Sequence, residues 1–156
     1  MEKTPKLEKA LRGISILAGL DARQVSLLAN CASERTFAPE TLLLREGQPA
    51  ESFYIVTAGT VAVEVHGAAQ GRQIIQTVEP GDVVGWSWMI EPYHWHFDAR
   101  AKSTTDTVML DARQLRDHCD RDHEFGYAIL KCFTPVIVHR LDAARMQLMD
   151  VYRLKS

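Results

Sequence analysis

The residues best equipped for chemistry lie in one stretch, Gly85-Trp86-Ser87-Trp88, continuing through Glu91-Pro92-Tyr93 to His94-Trp95-His96-Phe97-Asp98-Ala99-Arg100. It holds all three tryptophans of the chain. Pro80-Gly81-Asp82 reads as a turn, because proline presets φ and glycine tolerates the position after it. Val83 and Val84 lead to Gly85, which lets the backbone approach a neighbour closely before a short helical run. Ser87 stands where a hydroxyl would cap free backbone N–H groups, and such a helix start attracts anions. The aromatic residues around it would wall the site off from water. This predicts a small enclosed pocket for a ligand with an anionic group, lined by Val84, Gly85, Trp86, Ser87, Trp88, His94, Trp95 and His96. The competing reading is a turn followed by an aromatic core plug.

Other chemistries find less support. His94 and His96 have a two-ligand spacing, but a metal site needs a third and usually a fourth donor. The sequence offers only Asp98 nearby, so a cupin-like metal enzyme ranks below a ligand-binding module. Ser87 has no base and acid partners at motif spacing, which leaves nucleophilic catalysis unsupported. Asp98 and Glu91 could act as an acid–base pair, although a salt bridge from Asp98 to Arg100 is the plainer role. His118, His123 and His139 fall on predicted helices as surface residues.

These residues must be positioned by a scaffold, and the chain's texture predicts it. A chain of 156 residues with 46% hydrophobic and 24% charged residues suits one ordinary globular domain. A net charge of −2 drives no bulk association with nucleic acid or an anionic membrane. No apolar run approaches the roughly 20 residues of a membrane helix, and the first residues hold no apolar signal core. Cys31, Cys119 and Cys132 are odd in number and widely spaced, which fits reduced thiols in a cytoplasm.

Residues 5–30 read as helical, with Asp21 and Gln24 forming a capping-box pattern at a restart. Short runs at 34–38, 41–45, 52–57, 60–66 and 72–79, separated by Gly- and Pro-containing turns, read as strands. Val61, Val63 and Val65 alternate with Ala62, Glu64 and His66, the period of a half-buried strand. Two more strands are expected at 97–102 and 105–110. Asp111 is placed as an N-cap for a helix over 112–119, and a second helix is expected over 122–133. Proline disfavours a helix interior, so Thr134 is assigned as a cap and Pro135 as the first residue of a new helix. In that last helix Ile137, Leu141, Ala144, Leu148 and Val151 step by 4, 3, 4, 3, a coiled-coil seam suited to a homodimer.

Four segments together resemble a known family: Leu17-Ala-Gly-Leu-Asp-Ala-Arg-Gln, Phe37-Ala-Pro-Glu-Thr with Arg45-Glu-Gly-Gln-Pro, Phe53-Tyr-Ile-Val-Thr-Ala-Gly-Thr-Val-Ala-Val, and Val78-Glu-Pro-Gly-Asp-Val-Val-Gly. They resemble, in order, the cyclic-nucleotide-binding domain of bacterial cAMP receptor proteins, protein kinase A regulatory subunits and gated channels. The resemblance implies a mainly β fold with flanking α, a jelly-roll-type β-roll over 34–110 between N-terminal helices at 1–33 and C-terminal helices at 111–156. It implies a phosphate-binding cassette beginning at Gly85 and a long dimerisation helix. It also implies that Arg145 and Gln147 reach toward the ligand's base.

Two departures qualify this. Trp86 stands where the family has a ribose-binding Glu, and Trp95-His96 stands where the family's phosphate-clamping Arg is expected. Arg100 lies on the strand beyond and is not that clamp. Losing a planar cationic fork removes bidentate phosphate recognition. Weak binding of cAMP is therefore expected, improving as pH falls from about 8 to about 6 if His94 or His96 supplies charge. The family's helix-turn-helix domain has no counterpart in these residues, so direct DNA binding is not expected. The expectation is a non-enzymatic, cytoplasmic, homodimeric sensor module. It takes a cyclic nucleotide (cAMP, cGMP or a cyclic dinucleotide), needs no metal, and signals to an effector protein the sequence does not name. The alternative is a degenerate scaffold whose pocket is filled.

Overall fold

The computed structural model describes residues 3–67 and 71–155. The turn expected around Gly67–Gly71 falls largely on 68–70, outside the described residues. Helix α1 spans Lys3–Arg12, a 3-10 turn follows at Ser15–Leu17, and α2 spans Ala22–Asn30. The capping box is present: the Asp21 carboxylate accepts from Gln24 N–H at 2.8 Å, and Gln24 Oε1 accepts from Asp21 N–H at 3.0 Å. Two of the orphan donors at the start of α2 are thereby satisfied.

Among the described residues eight strands follow: β1 Ala32–Phe37, β2 Leu42–Leu44, β3 Ser52–Ala58, β4 Val61–Gly67, β5 Gly71–Val78, β6 Val83–Val84, β7 Asp98–Ala101 and β8 Thr105–Asp111. They form two antiparallel sheets, ordered β1-β8-β3-β6 and β2-β7-β4-β5. The expected strands are all present, and β6 adds one too short for its pattern to show in sequence. A continuous buried cluster joins Phe53 and Ile55 of β3 to Val61 and Val63 of β4, Ala99 of β7 and Leu110 of β8. Leu11 and Leu28 from the N-terminal helices and Phe125, Ile129 and Phe133 from the C-terminal side complete it.

Glu64 corrects the half-buried reading of β4. Its side chain has no exposure. In register, Ala62 faces Arg100 of β7 and His66 faces Arg72 of β5, so both arginines are diagonal neighbours of Glu64. Arg100 Nε donates to Glu64 Oε1 at 3.1 Å. Arg72 Nε lies 3.1 Å from Oε2 but lacks hydrogen-bond alignment. Glu64 is thus held between two arginines of the neighbouring strands, while His66 two residues on stays exposed.

Helix α3 spans Ala112–Arg121, and Asp111 caps it by accepting from Gln114 N–H at 3.0 Å. Asp122 Oδ1 accepts from Phe125 N–H at 3.1 Å and opens α4, His123–Lys155. The helix break expected at Thr134–Pro135 does not occur: Pro135 lies inside α4. Proline cannot donate to the carbonyl four residues back. The defect is tolerated because Phe125, Ile129 and Phe133 already anchor this face of the helix in the core. Pro135 itself is exposed, and the Thr134 hydroxyl donates to the Leu130 carbonyl at 2.6 Å instead of capping a new start.

Candidate functional site

The chain leaves β6 at Gly85, whose φ is +88°. A Cβ built there would lie 2.4 Å from Trp95 Cζ3 and 2.8 Å from Cη2, so only glycine allows the Trp95 ring this close. Trp95 is buried, and its backbone is pinned to the 47–50 loop. Trp95 N–H donates to the Gln48 carbonyl at 3.0 Å, and Gly47 N–H donates to the Trp95 carbonyl at 2.8 Å. Beyond Gly85 a 3-10 turn runs over Ser87–Met89 with Trp86 at its cap position. No side-chain cap is made there, so Ser87 is a buried wall residue and not a cap.

The three tryptophans separate into three environments. Trp88 stacks on Phe53 at 4.5 Å between centroids, and Phe133 of α4 meets both rings edge-on at 5.7 and 5.8 Å. Trp88 is therefore core, and it ties this turn to α4. Its carbonyl and that of Ala50 accept from Arg116 of α3 at 2.8 and 3.1 Å, while the Arg116 guanidinium lies 4.3 Å over the Tyr93 ring. Trp95 fills the space under Gly85. One edge of Trp88 borders a cavity between Tyr93, Arg116 and Tyr127, while Trp86 lines a separate cavity between the cassette and α4.

That cavity, of about 250 Å³, lies between Val63 and Val65 of β4, Ile75 and Gln76 of β5, the Trp86-Ser87 turn, and His96-Phe97. Its remaining wall is Arg140 of α4. The Arg140 guanidinium sits 4.8 Å over the Trp86 ring and donates to the Val83 carbonyl. Burial pushes its pKa down to about 10, with Asp82 opposing the shift, so it stays cationic at neutral pH. Among the described residues it has no carboxylate within ion-pair distance.

The structure thus brings Trp86, Ser87 and His96 together and puts Trp88 and Trp95 in the core. His94 is exposed, with Nδ1 2.7 Å from the Pro92 carbonyl, and it does not line the cavity. Arg145 also lies away from it: it is exposed, 3.9 Å from Asp142 on its own helix. Arg140 was not singled out for the site from sequence, yet a signal existed. Phe125, Ile129, Phe133, Val136 and Arg140 step by 4, 4, 3, 4, which puts this arginine on the core-facing stripe of α4.

Asp98 pairs neither with Glu91 nor directly with Arg100. It accepts from Glu46 N–H at 2.8 Å and lies 3.1 Å from His66 Nε2. Burial alone would raise its carboxyl, but the Glu46 N–H, His66 and Arg100 together hold it below the usual carboxylate range. Burial pushes the Cys31 and Cys119 thiols up to about 11, which keeps both protonated and unreactive at neutral pH. The described residues contain no group of three or more His, Cys, Asp or Glu able to hold a metal ion.

Eight strands among the described residues, a turn that opens on Gly85 beside a cavity, and a long helix closing that cavity define a β-roll domain with flanking helices. The family model for the cyclic nucleotide-binding domain matches residues 34–122, and the chain belongs to that family. The HTH-type transcriptional regulator Cmr of Mycobacterium tuberculosis is 26% identical over 134 residues, covering 86% of this chain and 53% of that protein. The chain therefore spans about half the length of that curated relative. A cyclic nucleotide-binding domain from Methylobacillus flagellatus shares the fold with a TM-score of 0.81 at 19% identity, over 92% of this chain and 84% of that one. The regulatory subunit of a cAMP-independent protein kinase A from Trypanosoma brucei gives a TM-score of 0.70 at 23% identity, over 99% of this chain and 52% of that one.

Proposed function

We propose that this protein is a non-enzymatic, cytoplasmic sensor module that binds a cyclic nucleotide, or a similar anionic nucleotide, in the cavity beside Trp86. The observation that carries this reading is the meeting of the cassette with α4 across one cavity, through Trp86 and Arg140. A ligand there touches both the roll and the helix, so it can bias how the helix packs. Trp86 offers its ring for stacking on a base. His96 lines the cavity and is the histidine proposed to contact the ligand. The domain is proposed to act on a protein effector and not on DNA directly.

Tryptophan fluorescence titration with cAMP, cGMP and cyclic dinucleotides tests the reading. Saturable change with at least one of them is expected, lost in Trp86→Leu. A second reading, a scaffold with a filled pocket, is favoured by the cavity's size, which falls below the roughly 300 Å³ at which ligand pockets begin. It predicts no response to any nucleotide.

The proposed assembly is a homodimer through α4. From Leu141 to Arg153 every residue of that helix is exposed, including Leu141, Leu148 and Val151 of the seam. Apolar side chains at this spacing, exposed by roughly half, are suited to pairing with a second copy. Leu141→Asp is expected to halve the mass measured by light scattering at micromolar concentration. An unmodified protein already monomeric under those conditions contradicts the proposal.

No helix of the described residues is long and apolar enough to cross a membrane.

A further inference from the structure

We infer that Arg140 of α4, and not a cassette side chain, takes the anionic group of a ligand in this cavity, so that α4 itself reads occupancy. The inference rests on the cavity being the ligand site. A guanidinium carries five N–H donors and charge-assisted bonds to phosphate or carboxylate are its strong ones. Among the described residues Arg140 touches a backbone carbonyl and a ring face, with Asp82 acting on it beyond ion-pair distance, and it is half-buried. It is the one arginine or lysine lining the cavity among the described residues. An entering anion would supply the counter-charge that burial leaves wanting. The apolar walls Val63, Val65 and Phe97 and the Trp86 ring suit a flat ring system attached to that anion.

Position makes the contact informative. Arg140 is half-buried, and each residue that follows it, from Leu141 to Arg153, is exposed. Exchanging the Val83 carbonyl for a ligand anion changes the final attachment of the helix to the roll, immediately before the segment with the apolar seam. It also withdraws the side chain from part of a cavity that is small for a nucleotide.

The test titrates the full chain, followed by tryptophan fluorescence, with cAMP, adenosine and inorganic phosphate, in the unmodified protein and in Arg140→Gln and Arg140→Lys. Thermal melts confirm that each variant is folded, and Arg140→Lys carries the comparison if Arg140→Gln is not. Expected is tighter binding of cAMP than of adenosine, by on the order of ten- to hundredfold. That preference disappears in Arg140→Gln and shrinks in Arg140→Lys, which keeps the charge without the planar fork. Amide exchange around residue 140 should change on adding cAMP to the unmodified protein but not to Arg140→Gln. A response to phosphate that needs Arg140, with none to either nucleoside compound, upholds the anion site and overturns the nucleotide reading. An undiminished preference for cAMP in both folded variants overturns the role of Arg140 and leaves the pocket reading standing. No response of the unmodified protein to cAMP or phosphate overturns the anion site, and the same silence toward cGMP and cyclic dinucleotides overturns both.

Discussion

Arg100→Ala is expected to destabilise the fold by about 3–5 kcal/mol, the range for removing one partner of a buried ion pair. Arg72→Ala should cost no more than about 1 kcal/mol. Both side chains approach the same carboxylate, so charge counting alone would rank them equal. Burial and geometry separate them. Glu64 has no exposure, and Arg100 has 18% against 43% for Arg72. Arg100 makes an aligned bond to Glu64 Oε1 and a second, from Nη1, to the Glu40 carbonyl at 3.0 Å. Without it, a buried carboxylate keeps only a half-exposed, misaligned partner. Urea unfolding at neutral pH measures the difference. Replacing both partners, as Glu64→Leu with Arg100→Leu, should recover most of the loss, because the desolvation penalty disappears with the charges. Equal effects of the two arginines would contradict this account. Arg100 is therefore a structural cation on the sheet, and a loss of ligand binding in its variant would follow from unfolding.

The same residues show what sequence could and could not reveal. Alternation in β4 gave the right strand and the wrong environment for Glu64. A period of two assigns a face, but it cannot say what covers that face. The cover comes from Arg72 and Arg100, which are 8 and 36 residues away in the chain and become neighbours only through register. Capping at Asp21 and Asp111 was legible because its chemistry is local. Pro135 was misread for the opposite reason: a local rule was applied where the anchoring of Phe125, Ile129 and Phe133 holds the helix together.

For the site, the family resemblance pointed to the cassette, where Trp86, Ser87 and His96 do meet, but to Arg145 on the helix. Arg145 lies five residues beyond Arg140, about 140° around and about 7.5 Å along the axis. An alignment to a family cannot fix helix register against the roll that finely. The stripe of buried side chains ending at Arg140 does.

Gly85→Ala is expected to cost about 3 kcal/mol or more, and the cost should depend on Trp95. Part of it is backbone: a φ of +88° is unfavourable for an L side chain by about 1–2 kcal/mol. The larger part is steric, since the new methyl would overlap Trp95 ring atoms at 2.4 and 2.8 Å. The ring has little room to retreat, being 3% exposed and carried on a backbone fixed to Gly47 and Gln48. Trp95→Leu alone should also destabilise, by leaving a cavity under Gly85. In the double variant the methyl enters the space the ring vacated, so the combined loss should fall short of the sum by about 1 kcal/mol or more. Chemical denaturation of the four proteins closes the cycle. Additivity to within about 0.5 kcal/mol would mean that the backbone conformation, and not the Trp95 contact, demands glycine. The distinction bears on the cavity, because the Gly85–Trp95 approach sets where Trp86 projects. If the contact is the constraint, the folded Gly85→Ala protein should also lose the stacking of Trp86 against Arg140, visible as a shift in tryptophan emission that Arg140→Gln does not move further.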